Sequence, residues 1–421
     1  MAIVLLETSQ TGERVEPTAD ARSVTIATIL IICYKRIVEK PALVVNDIRS
    51  ETGHRPAAFE PGLRSTLRLL IDILHPAHVH VFRNLAEDCV RLGHSVFITM
   101  REKECTGELL DQYGLDYETL SRQRSGAGLA VELVQRSARL WRVVDRFRPH
   151  FLTGIMGPSI APVGRLHGAF RRQRGRVAVF YDTEIATLTN AFVYPLADYV
   201  CTPDCYKGTV RGNHVTYPSY HELAYLHPRR FDPDAKIVRA AGIDPESTYF
   251  VVRFVSYRSS HDLKTRGLSL DRKLSLVRML AERGRVVLSS ESPLPRDLEP
   301  YRVHMPARDM HHVLAFAKLF VGESATMASE CAVLGVPAVY VSPLGRGYTD
   351  EQETRYGLVH NFVGDEAGSD WVASVRELLA DVTLGEHARE ARQRLLRDKI
   401  DLTAWMLEFF EREYRAHFTD R

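Results

Sequence analysis

Apolar residues follow two alternating patterns along this chain: short continuous runs and longer stretches with helical spacing. Runs such as LRLLIDIL at 67–74 and YFVVRFV at 249–255 are typical of strands buried on both faces of a parallel sheet. Residues 79–92 place apolar side chains on one helical face and stop at Gly93, a residue type that commonly ends helices. This alternation, with its short connections, predicts right-handed βαβ units and open parallel sheets.

The alternation occurs twice, and between 202 and 245 it gives way to sequence rich in Pro, Gly, His and Tyr. We therefore predict an N-terminal domain at 66–230 and a C-terminal domain at 231–398. An amphipathic helix within 399–421 is expected to pack back on the N-terminal domain. Ligands of open parallel sheets bind beyond the carboxyl ends of the strands, so two such sheets predict a site in the cleft between them.

The first 65 residues differ from the rest of the chain. Their apolar run VTIATILIICY at 24–34 is too short for a membrane-spanning helix, which needs about 20 residues. We interpret 1–65 as a loosely packed extension without a catalytic role.

Composition narrows the function. A length of 421 residues favours two domains, and 55 basic against 53 acidic residues give no reason to expect a nucleic-acid binder. Six irregularly spaced cysteines do not resemble a secreted disulfide framework and indicate reduced thiols in a cytoplasmic protein. Cys201 and Cys205 lack a second pair at metal-ligand spacing, so we expect no metal site.

The segment 322–330, GESATMASE, joins the end of a strand to a helix that Ser324 and Thr326 open. Free backbone N–H groups at such a helix start suit a phosphate, although Ser324 or Thr326 can equally be a simple N-cap. Glu330, in the first turns of the same helix, is a candidate for binding a ribose diol. The alternative for Glu330 is a solvated or dipole-paired carboxylate.

Three histidines follow the first strand directly, in His75-Pro-Ala-His78-Val-His80. A loop histidine can act as general base for an acceptor hydroxyl, with His78 first and His75 second as candidates. His80 is a substrate-binding candidate, and Asp72 on the strand can orient one of the imidazoles. Metal binding or simple capping of the helix are the alternatives.

A second polar stretch, 253–262 (RFVSYRSSHD), follows the first strand of the C-terminal half. Side chains of this kind can neutralise a diphosphate leaving group in place of a metal. An exposed polar loop is the alternative. The candidates here are Arg253, Ser256, Arg258 and His261. Glu351 and Glu353, further along, are candidates for contacting a donor sugar, with a surface helix as the alternative.

The segment around Ser324 resembles the nucleotide-binding motif of GT-B-type glycosyltransferases and of non-hydrolysing UDP-N-acetylglucosamine 2-epimerases. About 300 residues are similar, more specifically, to the uncharacterised DUF354 family; DILHPAHVH at 72–80, ITMREK at 98–103, RFVSYRSSHD and YGLVHNF at 356–362 carry this likeness. The resemblance implies an α/β, GT-B-like fold: two Rossmann-like domains whose parallel sheets face an interdomain cleft. It also implies diphosphate binding by Ser324, Ala325 and Thr326, ribose binding by Glu330, and neither cofactor nor catalytic metal. In the murein lipid II-forming glycosyltransferase, a GGTGGH loop ends where His78 stands, but this chain has His75-Pro-Ala in place of the glycines.

These features together favour a glycosyltransferase that moves a sugar from a nucleotide-diphosphate donor, UDP-linked, to a glycan or lipid-linked acceptor. A nucleotide-sugar epimerase and a non-catalytic sugar-nucleotide-binding protein are the alternatives. The basic stretch RLHGAFRRQRGR, from Arg165 to Arg176, is a candidate for peripheral contact with anionic lipid at the inner face of the membrane, with an exposed basic loop as the alternative.

Overall fold

Two parallel sheets organise the chain in a computed structural model, which describes residues 66–124, 128–170, 174–255, 267–364 and 371–419. The extension 1–65, residues 171–173 of the basic stretch, and Ser256, Arg258 and His261 lie outside the described residues.

The first sheet has seven strands in the order β3-β2-β1-β4-β5-β6-β7, and every neighbouring pair is parallel. Its strands are β1 (Arg68–Ile73), β2 (Ser95–Glu102), β3 (Tyr117–Arg122), β4 (Phe151–Ile155), β5 (Arg176–Phe180), β6 (Tyr199–Pro203) and β7 (His214–Tyr217). The connecting helices are α1 (Pro76–Arg91), α2 (Thr106–Gln112), α3 (Gly128–Phe147), α4 (Ile160–Phe170) and α5 (Thr187–Val193). The apolar runs form these strands because helices cover both faces of the sheet, as in β1, where five of six residues are buried.

The second sheet has five parallel strands in the order β12-β11-β10-β8-β9. These are β8 (Tyr249–Phe254), β9 (Arg285–Ser290), β10 (Leu319–Gly322), β11 (Ala338–Ser342) and β12 (Val359–Val363). Its helices are α6 (Ala235–Ala240), α7 (Leu270–Ala281), α8 (Met310–Ala315), α9 (Ala325–Leu334), α10 (Gly347–Glu351), α11 (Trp371–Ala380) and α12 (Leu384–Asp398). The chain is therefore α/β, with two Rossmann-like domains, as the sequence predicts.

The chain passes between the two sheets twice, and the two passages lie side by side. The first leaves β7 and includes a short 3-10 turn, His221–Ala224. The second joins α12 to the last helix, α13 (Leu402–Phe418). The N–H of Ile400 donates to the carbonyl of Pro218 at 3.0 Å, and the Ser219 hydroxyl donates to the carbonyl of Ile400 at 2.7 Å.

The last helix lies against the seven-stranded sheet. Its Phe410 packs on Phe151, with ring centroids 5.3 Å apart, and its Glu413 accepts a hydrogen bond from the Tyr199 hydroxyl at 2.5 Å. This helix therefore completes the core beneath β4, β5 and β6.

Candidate functional site

The candidate site lies where the carboxyl ends of the two sheets meet. In each sheet the strand order reverses direction at one point, between β1 and β4 in the first sheet and between β8 and β10 in the second. Ligands of open parallel sheets bind at such points. Helix α1 begins after β1 and helix α9 after β10, so both polar segments singled out from the sequence start at these points.

His75 and His78 lie in the first turn of α1, and backbone hydrogen bonds fix their protonation pattern. His75 is the N-cap, and its Nδ1 accepts the N–H of Ala77 at 3.2 Å. His78 Nδ1 accepts the N–H of Leu74 at 3.3 Å. A ring nitrogen that accepts a hydrogen bond carries no proton, so the neutral imidazoles hold their proton on Nε2.

Burial keeps both imidazoles neutral. Burial and the charge of Lys103 lower the pKa of His75 to about 3, and Arg253 and Arg101 act in the same direction. Burial, with His75 as the next cause, lowers the pKa of His78 well below its usual value. In this tautomer both side chains offer an Nε2–H donor. The Nδ1 lone pair of each ring is already engaged with a backbone N–H, and the general-base role of His78 or His75 stays a prediction.

Asp72 does not orient either imidazole. It is fully buried, and its Oδ1 accepts hydrogen bonds from the Thr99 hydroxyl, at 2.6 Å, and from the Arg136 guanidinium. The reason is geometric: Asp72 lies on β1, beside Thr99 of the neighbouring β2, whereas the histidines lie beyond the end of the strand. Its hydrogen bonds therefore tie β1 to β2 and α3.

An ion pair that the sequence did not reveal, between the buried His221 and the partly buried Asp182, lies beside His78. Asp182 follows β5, and its Oδ2 accepts from His221 Nδ1 at 2.9 Å. Burial opposes the charged form of each partner, but their mutual attraction prevails, so the pKa of Asp182 is lowered and that of His221 is raised. The charges of this pair act on the pKa of His78, which places the three side chains in one cluster.

Glu222, next to His221, belongs to the same cluster. Burial, with the charge of Asp182 as the next cause, raises the pKa of Glu222 to about 8. The cluster thus combines an ionised carboxylate, an imidazole and a carboxyl group that stays protonated at neutral pH.

Asp182 was missed, although one signal in the sequence could have indicated it: it follows a buried strand, at the end of the sheet where ligands bind. His221 and Glu222 gave no such signal, because they lie in the passage between domains where no periodic pattern exists. Their position depends on the long-range contact between that passage and β5.

Arg253, at the end of β8, lies in the cleft near His75. Its guanidinium is already hydrogen-bonded: Nη1 donates to Ser289 Oγ at 2.6 Å and Nη2 to Glu291 Oε1 at 3.0 Å. Arg253 is also the strand neighbour of Gly322, the last residue before the α9 segment. The start of α9 therefore lies across the cleft from the start of α1.

Ser324 is the N-cap of α9, with its hydroxyl accepting the N–H of Met327 at 3.3 Å. Ala325 and Thr326 occupy the first turn, and all three side chains are partly exposed. Ser324 therefore caps the helix. Its hydroxyl occupies the N–H of Met327, and the N–H groups of Ala325 and Thr326 are the candidate donors for an anion. Glu323 is buried instead, and it accepts the N–H of Val255 at 3.1 Å and that of Leu268 at 2.6 Å.

Glu330 is buried and lies between the domains. Its Oε1 accepts from the Tyr225 hydroxyl at 2.8 Å and from His311 Nε2 at 2.9 Å. His80 packs on the same group, 4.6 Å from the His311 ring between centroids. The solvated alternative for Glu330 is therefore excluded. His80, unlike His75 and His78, lies in this packing cluster, so the three histidines of α1 do not converge on one point.

One group with metal-ligand spacing occurs in the parts of the chain that the structure describes, formed by Asp204, Cys205 and Glu351. The ammonium of Lys399 already lies there, 2.6 Å from Asp204 Oδ1 and 2.8 Å from Glu351 Oε2. Burial raises the pKa of the Cys205 thiol. The group is therefore an ion-pair cluster between the domains. Glu353, the other sugar candidate, binds the N–H of Asn361 at 2.8 Å.

The basic stretch is described in two parts. Its first part ends α4, where Phe170 is exposed and packs on Trp141. In its second part Arg174 pairs with Asp198 at 2.8 Å, and Arg176 begins β5. None of the helices within the described ranges combines the length and apolar character needed to span a bilayer.

The two facing sheets and the polar site between them define a GT-B-like protein of two Rossmann-like domains. Residues 67–350 match the family described as "Protein of unknown function (DUF354)", and the chain belongs to that family. No curated protein sequence matches the chain significantly.

Solved structures with the same fold include both enzyme classes expected from the sequence. A UDP-GlcNAc 2-epimerase from Neisseria meningitidis bound to UDP-GlcNAc has a TM-score of 0.60 at 9% identity, with 83% of this chain and 99% of that chain covered. The spinosyn forosaminyltransferase SpnP has a TM-score of 0.57 at 14% identity, covering 82% and 100%. MurG of Acinetobacter baumannii has a TM-score of 0.51 at 14% identity, covering 82% and 99%. At these identities the likeness shows the fold alone.

Proposed function

We propose that this protein is a GT-B-type glycosyltransferase that moves a sugar from a nucleoside-diphosphate donor, UDP-linked, to a hydroxyl of a glycan or lipid-linked acceptor. The observation that carries the proposal is the partly exposed start of α9, which lies across the cleft from the start of α1. A helix start offers free N–H groups and a positive dipole end to a diphosphate.

The surroundings of the cleft support an anionic ligand. Arg253, Arg101 and Lys103 all lie near His75, and the Nε2–H groups of His75 and His78 add two neutral donors. Donors held in fixed positions stabilise charge that develops on a leaving group. We assign Glu330 to the ribose, through the carboxylate oxygen that Tyr225 and His311 leave free.

Calorimetric titration with UDP, GDP, CDP and dTDP tests the nucleotide site. At least one is expected to bind, and Ala325→Asp is expected to abolish binding. A carboxylate at a helix start stabilises the helix, so this variant should fold while it repels a diphosphate. Glu330→Ala should weaken binding, with Glu282→Ala, an exposed carboxylate at the end of α7, as the matched control. Absence of binding to all four nucleotides by the folded protein would refute the proposal.

The second candidate is a nucleotide-sugar epimerase, which Glu222 favours. An epimerase removes and returns a proton, and Glu222 with its pKa near 8 lies beside the Asp182–His221 pair as a second proton-transfer group. Incubation with donor sugar nucleotides alone, followed by NMR, distinguishes the two reactions. Release of nucleoside diphosphate supports transfer, with water as acceptor, whereas an epimerised sugar nucleotide would replace the transferase by the epimerase.

A further inference from the structure

The histidines in the cleft hold their proton on different ring nitrogens, and this difference indicates their roles. We infer that His221, held by Asp182, is the catalytic base of the proposed transfer and that His75 and His78 are hydrogen-bond donors to the ligand. The inference rests on the proposed function, and it replaces the base that the sequence suggested.

The ring nitrogen that carries the proton differs between His221 and the two histidines of α1. His221 Nδ1 donates to Asp182 Oδ2 at 2.9 Å, so the lone pair of the neutral ring lies on Nε2. His75 and His78 have the reverse arrangement, because their Nδ1 atoms accept backbone N–H groups. A carboxylate behind an imidazole also stabilises the imidazolium that forms when the ring takes a proton.

The unprotonated ring nitrogen of neutral His221 is buried. His221 is 4% exposed, and its Nε2 is buried without a hydrogen-bond partner among the described residues. A buried polar atom of this kind normally has a partner, and an acceptor hydroxyl is the partner that the chemistry supplies. The hydroxyl of Tyr217, whose ring stacks on His221 at 6.4 Å between centroids, is also buried and unpartnered.

The proposed transfer forms one bond and breaks one. The acceptor oxygen forms a bond to the anomeric carbon of the donor sugar, and the bond from that carbon to the diphosphate oxygen breaks. The electron pair of the broken bond leaves with the diphosphate, and the acceptor proton passes to His221 Nε2. Asp182 is a positioning residue, since it acts through His221.

The charged and titratable groups that face His221 set the pH dependence. Burial opposes its charged form, but the charge of Asp182 and the hydrogen bond to it favour that form and prevail. Glu222 adds to this attraction only when it is ionised, at a pH above its own pKa of about 8, and His78 is a neutral neighbour. Arg346 acts indirectly, because it stabilises the ionised form of Asp182. A base works in its neutral form, so kcat/KM should fall as the pH falls through the pKa of His221, which is raised above its ordinary value because the attraction of Asp182 outweighs burial.

Release of nucleoside diphosphate from the donor identified by titration measures the role of His221. His221→Ala should lower the rate by about 10²–10⁴-fold, the usual contribution of a general base, and leave nucleotide affinity unchanged. Added imidazole should restore part of the rate. Asp182→Asn should lower the rate and move the acid limb of the pH profile to lower pH. A purely structural role would move neither the limb nor the response to imidazole. His214→Ala, an exposed histidine of β7, is the control.

NMR of the protein labelled with ¹⁵N-histidine tests the tautomers without any turnover. The expected result is an Nδ1–H tautomer for neutral His221 and Nε2–H tautomers for neutral His75 and His78, with His75 still neutral at pH 5. An Nε2–H tautomer for His221, or wild-type rates and an unchanged acid limb in both variants, would overturn the inference while leaving the proposed function intact. A wild-type protein that binds no nucleotide would instead refute the proposed function.

Discussion

Replacing Lys399 by methionine should destabilise the protein strongly, because its ammonium joins the two domains. The ammonium is completely buried and binds Asp204, from the end of β6, at 2.6 Å and Glu351, from α10, at 2.8 Å. It also lies 4.9 Å from the centre of the Tyr220 ring. Methionine keeps most of the volume and removes the charge, so the two carboxylates would face each other without a cation.

The magnitude follows from the surroundings of the pair. Attraction at 2.8 Å and an effective dielectric constant near 20 is about 6 kcal/mol, and much of it is offset by desolvation of the ions. Breaking a buried pair costs about 3–5 kcal/mol. Asp204 is 39% exposed and regains water, so we expect a loss of about 2–4 kcal/mol in the free energy of unfolding. Over this many residues that corresponds to roughly 3–5 °C in the thermal midpoint.

The loss should depend on pH. Burial would raise the pKa of Glu351, but Lys399 and the Tyr220 hydroxyl lower it in the folded protein. A lowered pKa contributes stability above the unfolded-state value, and that contribution disappears as the pH falls through the folded-state value. Because Lys399→Met lacks this contribution, the difference in the free energy of unfolding between the variant and the wild type should shrink from pH 7.5 toward pH 4.

Urea denaturation, followed by circular dichroism and by tryptophan fluorescence, measures the effect. The matched control is Lys207→Met, which removes an exposed ion pair with Asp350 and should cost less than about 1 kcal/mol. If Lys399→Met lost no more stability than this control at pH 7.5, the claim that Lys399 joins the domains would be refuted.

Three further variants test neighbouring contacts. Gly347→Ala would place a methyl carbon against Glu184 Oε1 and 2.7 Å from the backbone carbonyl of Cys205, so thermal denaturation should show a loss of about 1–3 kcal/mol in stability. An unchanged midpoint would contradict the close approach of the domains here. Tyr225→Phe removes a hydrogen bond to the buried Glu330 and should cost about 1–3 kcal/mol by urea denaturation; a neutral result would show that His311 alone satisfies this carboxylate. Glu323→Gln leaves one of its two backbone N–H groups unpaired, and hydrogen exchange at Val255 or Leu268 should accelerate about tenfold; unchanged exchange at both would contradict the role of Glu323.

The sequence predicts the fold well because the signal is repeated. Strands such as β1 and β8 are continuous apolar runs, and the helices between them have clear amphipathic spacing and glycine ends. The strand β7 is not predicted from the sequence, because it is a short edge strand of largely exposed residues. The strand β12 escapes it for a similar reason, with only its first residue buried.

The site could be predicted only in part, because some of its residues come together through contacts between distant parts of the chain. The segments around His75 and Ser324 follow directly from strand ends, which local pattern reveals. The pairing of Asp182 with His221 depends on a passage between domains that has no periodicity. The chemical role of a residue is harder to predict than its position. Whether His78 can act as a base depends on which of its ring nitrogens accepts the Leu74 N–H, and no pattern of residue types contains that distinction.

The position of α13 has a consequence for synthesis of the chain. The seven-stranded half is built from two separate stretches, because Phe410 and its neighbours fill the core beneath β4 and β5. About 185 residues separate the end of β7 from this helix, which the ribosome takes roughly 10–40 s to add. The five-stranded half is contiguous and can fold as soon as it emerges. The half that is made first is therefore finished last, and until then the apolar underside of its sheet is open to chaperones.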